Sequence, residues 1–192
     1  MKIDTPDIAA WRVAERRRLI AERLALDSTT RRDHSRRIAA GLSEILRDPA
    51  GLVVSAYWPI RGEPDLRDWC IDLRRRGART ALPVVVAKDT PLAFRIWNED
   101  SQLTRAVWST FEPLDGEDVR PDVVIAPVVG FDPDCYRLGY GGGFFVRTQA
   151  VLPPSTVAIG VGYAQAALST IHPQTFDVPL RAIVTETGTI RR

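Results

Sequence analysis

Apolar residues follow two periods along this chain, and the points where the period changes mark its elements. Ala9, Val13, Ile20 and Leu24 recur close to one helical face, and Arg12 and Arg16 share another at i, i+4. Thr5-Pro6-Asp7 supplies the start of that helix, with proline tolerated in the first turn. Ser28-Thr29-Thr30 interrupts it, and Ile38, Leu42, Ile45 and Leu46 form the apolar stripe of a second helix. Leu52 to Trp58 reads as a short buried strand, followed by a loop from Pro59 to Pro64. Leu66, Trp69, Cys70 and Leu73 fall at i, i+3, i+4 and i+7, a third helix stopped by Gly77. Thr80 to Ala87 and Leu92 to Trp97 are β-rich segments joined by Lys88-Asp89-Thr90-Pro91. Ser101 to Gly116 keeps no period and reads as a surface excursion. Val123 to Val129 is a core strand despite Pro127, Phe144 to Leu152 has helical character, and Val157 to Val161 and Ile183 to Thr185 complete the sheet.

Two helices, then strands alternating with helices, imply an α/β fold. The expectation is a single three-layer domain over residues 1–192, Rossmann-like, with two N-terminal helices and a largely parallel central sheet. Ligands of such sheets sit beyond the carboxyl ends of the strands. Glu63 follows the first strand and Arg137 follows the strongest one, so both are expected on the same rim.

Between that strongest strand and the next helix stands Arg137-Leu138-Gly139-Tyr140-Gly141-Gly142-Gly143-Phe144-Phe145, with four glycines in five positions. Glycine lets the backbone take positive φ and approach a ligand closely. Successive N–H groups at a helix start attract anions, and Arg137 adds a full charge. The segment therefore reads as a phosphate site, most simply for a nucleotide, with a tight ligand-free turn as the alternative. It is neither a P-loop, which needs Gly-Lys-Ser/Thr, nor a dinucleotide fingerprint, which needs glycine where Phe144 stands.

Composition narrows the classes. Apolar residues make up 45% and charged residues 26%, ordinary globular usage, and a chain of 192 residues buries roughly 70% of its unfolded surface. Net charge is only +2, so the molecule is no general polyanion binder. The arginines of the first two helices (Arg16, Arg17, Arg18, Arg23, Arg31, Arg32, Arg36 and Arg37) interleave with Glu15, Glu22, Asp27 and Asp33, the pattern of a solvated face rather than of a nucleic-acid stripe. Two histidines and two cysteines without CxxC spacing argue against a zinc site or a disulfide framework. No apolar run approaches the ~20 residues of a membrane span, and the N-terminus lacks a signal-peptide core. A cytoplasmic protein is the expectation, with no membrane and no nucleic-acid partner.

At this point the chain resembles the 5-formyltetrahydrofolate cyclo-ligase (methenyltetrahydrofolate synthetase) family. The likeness rests on Arg137 to Phe145 preceded by Ala126-Pro127-Val128-Val129-Gly130-Phe131-Asp132. Tyr57-Trp58-Pro59 with Glu63, Leu82-Pro83, Phe111-Glu112-Pro113, Tyr163-Ala164-Gln165 and the run from Phe176 to Leu180 follow in the family's order. The resemblance implies an open α/β scaffold like that of sugar-phosphate isomerases and CoA-transferases. It also implies an ATP- and Mg2+-dependent closure of 5-formyltetrahydrofolate, polyglutamylated or not, to 5,10-methenyltetrahydrofolate by a monomer. The formyl oxygen would be phosphorylated, N10 would attack, and ADP and phosphate would leave. Carried over residue by residue, Arg12, Arg16 and Arg137 to Phe145 (Leu138, Gly139, Tyr140, Gly141, Gly142, Gly143 and Phe144 between them) would bind ATP. Trp58 and Glu63 would contact the folate, Arg137, Tyr140 and Glu63 would serve catalysis, and Asp177 would hold magnesium. Such chemistry depends on positioning and electrostatics rather than a protein nucleophile, which suits a chain without a Ser-His or Cys-His arrangement.

One departure stands out. After the aromatic pair the family carries Asp then Arg, whereas this chain has Val146 before Arg147. Valine neither coordinates a hard cation nor accepts a hydrogen bond. The metal would then rest on Asp177, Asp132 or Asp134 with water and phosphates, and a non-catalytic paralogue binding folate or nucleotide is the competing reading. An isomerase or transferase on a similar scaffold, or nucleic-acid binding through the helical arginines, are further alternatives.

Overall fold

The computed structural model describes residues 7–106 and 110–192. Asp7 caps the first helix through bonds from the Ala9 and Ala10 N–H groups, so α1 runs Ile8–Ala25; Thr5 and Pro6 lie outside the described residues. Asp27 caps α2 (Ser28–Ile45) in the same way, so Ser28-Thr29-Thr30 is the first turn of this helix rather than the break. β1 (Val53–Ser55) leads through a loop to α3 (Arg67–Arg75), which Gly77 ends at φ +88° as expected. β2 (Arg79–Val84) and β3 (Ala93–Ile96) form the antiparallel pair read from the sequence. The aperiodic excursion contains a small ribbon of β4 (Leu103–Arg105) and β5 (Phe111–Pro113).

The core strand β6 (Val123–Pro127) stops at its proline, short of the expected Val129. Proline has no N–H for a ladder, and the chain turns into a hairpin of β7 (Gly130–Phe131) and β8 (Arg137–Leu138). α4 (Phe144–Val151), β9 (Val157–Val161), one 3-10 turn at Ala164–Ala166, β10 (Ala182–Thr185) and β11 (Gly188–Arg191) follow. The seven-stranded sheet has the order β11-β10-β9-β6-β1-β2-β3, parallel except at its two edge strands.

Alternation along β6 shows why the domain has three layers. Val123 and Ile125 join Ile38 and Leu42 of α2 and Trp69 and Leu73 of α3 on one face. Val124 and Ala126 join Leu19 of α1 and Phe145 of α4 on the other. The α/β, largely parallel, single-domain expectation is thus met.

α1 corrects the apolar-face reading. Val13 and Leu24 are more than half exposed, whereas Arg12, Leu19 and Arg23 are buried. The face turned inward is Arg12, Arg16, Leu19 and Arg23, spaced i, i+4, i+7 and i+11. Guanidinium groups can be buried where carbonyl and carboxylate oxygens take their donors, and α1 packs over loops that present them.

Candidate active site

The carboxyl ends of β1, β2 and β6 open into one cleft, lined by Trp58, Pro83 and Pro127 on the sheet side and by Arg137, Tyr140 and Phe144 from the glycine segment. Trp58 forms an aromatic wall with Phe111, ring centroids 5.3 Å apart, and stands edge-on to Trp97 at 6.2 Å. Arg67 lies over its ring at 5.0 Å.

The glycine segment is built for close approach. Gly141 and Gly143 have φ of +93° and +69°, conformations that favour glycine, and Gly143 caps α4 in the left-handed region. A Cβ at Gly143 would lie 2.5 Å from Arg147 Nη1, and one at Gly139 would lie 3.0 Å from Arg137 Nη1. The loop therefore folds around two guanidinium groups. Arg137 donates Nη1 to the Pro127 carbonyl at 2.9 Å and sits 4.1 Å over the Phe145 ring. Its Nε and that of Arg147 are buried without a hydrogen-bond partner among the described residues. Burial lowers the Arg137 pKa to about 10, with Asp177 and Glu63 opposing the shift, so the group stays charged at neutral pH.

α1 supplies the remaining cations. Arg16 Nε donates to the Gly139 carbonyl at 2.6 Å. Its pKa is lowered by burial first and then by the nearby Arg12 charge. Arg12 donates to the carbonyls of Ile171 and His172 and pairs with Asp177. Asp177, expected from sequence to hold magnesium, is thus held by Arg12, expected to bind ATP, and both Arg12 and the Gln174 N–H use its Oδ2.

Glu63 reaches the cleft through Tyr140. The Tyr140 hydroxyl donates to Glu63 Oε1 at 2.7 Å, and Oε2 accepts from the Ile60 N–H at 2.8 Å. Burial raises the Glu63 pKa, and Arg23 is the strongest opposing influence. Tyr140 is raised too, by burial and then by the Glu63 charge.

Of the residues singled out from sequence, Trp58, Arg137, Tyr140, Gly142, Gly143, Phe144 and Phe145 line this cleft, while Arg16 and Glu63 stand behind it, bonded to Gly139 and Tyr140, and Glu63 lines a neighbouring groove. Leu138 is instead a core side chain, 1% exposed, contributing its carbonyl to the hairpin. Asp132, a fallback metal ligand, accepts from the N–H groups of Asp134, Tyr136 and Ile171 and serves as a turn anchor. Arg23, read as part of a solvated face, is buried against Tyr140, and its i+11 spacing from Arg12 was the signal for it. On the outer face of these helices Arg18 pairs with Glu15 and Glu22, and Arg37 with Asp33. Among the described residues no helix is long and apolar enough to cross a membrane.

The sequence profile described as the 5-formyltetrahydrofolate cyclo-ligase family matches residues 8–186. The chain belongs to this family. A 5-formyltetrahydrofolate cyclo-ligase of Escherichia coli strain K12 is 34% identical over 139 residues, which cover 69% of this chain and 76% of that protein. One from Mycoplasma pneumoniae is 29% identical over 153 residues, covering 79% and 84%. The solved 5,10-methenyltetrahydrofolate synthetase of Aquifex aeolicus superposes with a TM-score of 0.81 at 24% identity, covering 94% of this chain and 92% of that one, and so shares the fold. As a cyclo-ligase family member the chain is placed among enzymes, and the cleft just described is its candidate active site.

Proposed function

We propose that the protein closes 5-formyltetrahydrofolate to 5,10-methenyltetrahydrofolate at the expense of ATP. The observation that carries this reading is the Arg137 guanidinium, folded into a loop where a Cβ at Gly139 or Gly143 would crowd Arg137 or Arg147, with its Nε unpaired among the described residues and its side chain lining an aromatic-walled cleft. Cations and oriented N–H groups of this kind suit a triphosphate. The flat aromatic wall at Trp58 suits a pterin, with the Glu63–Tyr140 pair as its polar end.

The formyl oxygen attacks the γ-phosphorus and the bond to ADP breaks. N10 then adds to the activated formyl carbon, phosphate departs with the former formyl oxygen, and the N10 proton passes to water. Arg137 and Arg16 balance charge on the transferring phosphoryl group, while Trp58 and Glu63 orient the folate. The donor set for magnesium is thin: among the described residues no cluster of three possible ligands occurs, and Asp177, its Oδ2 already taken by Arg12 and the Gln174 N–H, would offer one carboxylate oxygen, with phosphates and water making up the rest of the shell. When bound, the ion supplies charge neutralisation between the phosphates.

Near-ultraviolet absorbance of the methenyl product tests the reading. The band is expected only when protein, 5-formyltetrahydrofolate, ATP and magnesium are all present. Binding of both ligands without the band would instead establish the non-catalytic paralogue, which Val146 favours. Val146 occupies the first turn of α4, which carries no acidic residue. Restoring Val146→Asp places a carboxylate where the helix dipole favours one, and should raise turnover several-fold, to about tenfold, with a lower magnesium requirement. Unchanged turnover at normal metal affinity would remove Val146 from the account.

A further inference from the structure

Two inward arginines of α1 hold the glycine loop and the 171–177 segment; the third has no part in the reaction above. Arg23 lies two turns beyond Arg16 on the same face and is 5% exposed. Its Nε donates to the Arg61 carbonyl at 2.9 Å and its Nη2 to the Tyr140 hydroxyl at 2.5 Å. The guanidinium carbons of Arg23 and Arg61 stand 5.8 and 5.5 Å from the Tyr140 ring centroid. A phenol has one proton, and arginine can only donate. With Arg23 donating to the oxygen, the proton has Glu63 as its acceptor, so the order Arg23 to Tyr140 to Glu63 is fixed.

We propose that Arg23 is a positioning residue: it orients the Tyr140 hydroxyl toward Glu63, sets its charge beside that carboxyl, and ties the 60–63 loop to the glycine segment. Its kinetic consequence rests on the cyclo-ligase reading; its electrostatic consequence does not. The groups that face Glu63 are Arg23 from α1, Arg31 from α2 across a shared groove, Arg137 and Tyr140 from the glycine segment, and Tyr57 and Asp65 from its own stretch of chain. Arg23 heads those that favour the charged form. Lysine cannot replace it fully, because one ammonium lacks the planar fork that reaches the Arg61 carbonyl and Tyr140 together.

The experiment compares Arg23→Gln, which removes the charge, with Arg23→Lys, which keeps it. The first readout is a 13C NMR titration of the Glu63 carboxyl in the ligand-free protein, assigned with Glu63→Gln. Arg23→Gln is expected to raise the Glu63 midpoint by roughly one pH unit or more, and Arg23→Lys to move it far less. The second is steady-state kinetics, where both variants should raise KM for 5-formyltetrahydrofolate about tenfold, with a smaller change in kcat. A Glu63 midpoint unmoved in folded Arg23→Gln overturns the proposal. If Arg23→Gln does not fold, a double-mutant cycle of Arg23→Lys with Tyr140→Phe decides: non-additive effects support the relay and additive ones overturn it. Should the wild-type protein show no turnover, the titration alone decides, so the two readings fail separately.

Discussion

Arg137→Met should lower kcat/KM for the ATP-dependent reaction by about a hundredfold or more, while leaving the ligand-free protein as stable as before or slightly more so. The two halves of that expectation have one cause. Arg137 is half-buried, and its donors are only partly used: Nη1 reaches the Pro127 carbonyl, while the buried Nε has no partner among the described residues. Its nearest compensation is the Phe145 ring at 4.1 Å and the fields of Asp177 and Glu63, which do not fully offset the desolvation. A cation kept in that condition weakens the folded state on its own and gains most when an anion arrives. ATP should therefore raise the melting temperature of the wild-type protein and fail to do so for Arg137→Met, in calorimetry with and without MgATP. Arg137→Lys should fall between, since it keeps a charge but loses the stack on Phe145 and the fork geometry. A variant that melts much earlier yet responds to ATP like the wild type would make Arg137 a strut of the hairpin instead.

The glycine segment was legible in the sequence because its chemistry is local. Positive φ, a helix start and an adjacent arginine lie within nine residues, and the strand and helix flanking them have clean periods. The parallel sheet was legible for a similar reason, as β1, β2, β6, β9 and β10 are short apolar runs separated by helices or turns. What escaped depends on long-range partners. The buried face of α1 is largely polar, and the carbonyls of Arg61, Gly139, Ile171 and His172, the Asp177 carboxylate and the Tyr140 hydroxyl, up to 165 residues away in the chain, make its burial tolerable. No apolar period announces such a face. β11 was missed because an edge strand with one solvated side (Gly188, Thr189, Ile190, Arg191) carries little hydrophobic signal; its register against β10 supplies the order. Within the site, Glu63 and Arg137 were expected on one rim; they feel each other's charge, but Arg137 lines the cleft while Glu63 lines the neighbouring groove. The way Glu63 reaches that cleft, through Tyr140 and under Arg23, depends on side-chain packing that spacing does not encode.

Glu63→Gln should cost roughly ten- to a hundredfold in kcat/KM for the folate and, in the same protein, flatten part of the pH dependence of stability. The carboxylate accepts from Tyr140 and Ile60 inside the fold, and burial raises its folded pKa above the ordinary 4.5. A group with a raised folded pKa stabilises the native state fully below its unfolded value, and that contribution is lost as pH rises through the folded one. Wild-type stability should therefore fall, relative to Glu63→Gln, over a window that opens near pH 4.5 and ends above the raised value. Glutamine lacks the titration but also presents an amide N–H₂ where two donors already converge, so the variant is expected to be the less stable protein in acid and to gain on the wild type toward neutrality. Paired thermal melts across that range give the crossing trend, and parallel curves would mean that Glu63 titrates alike in the folded and unfolded chain. A buried carboxyl whose ionisation burial opposes, with a tyrosine and an arginine set against it, is a cost in stability that packing alone does not explain. The proposed folate site would supply the reason: an acceptor fixed at the polar end of an aromatic wall would gain its partner when substrate enters. The stability penalty and the loss of folate recognition should therefore appear and disappear together across substitutions at position 63.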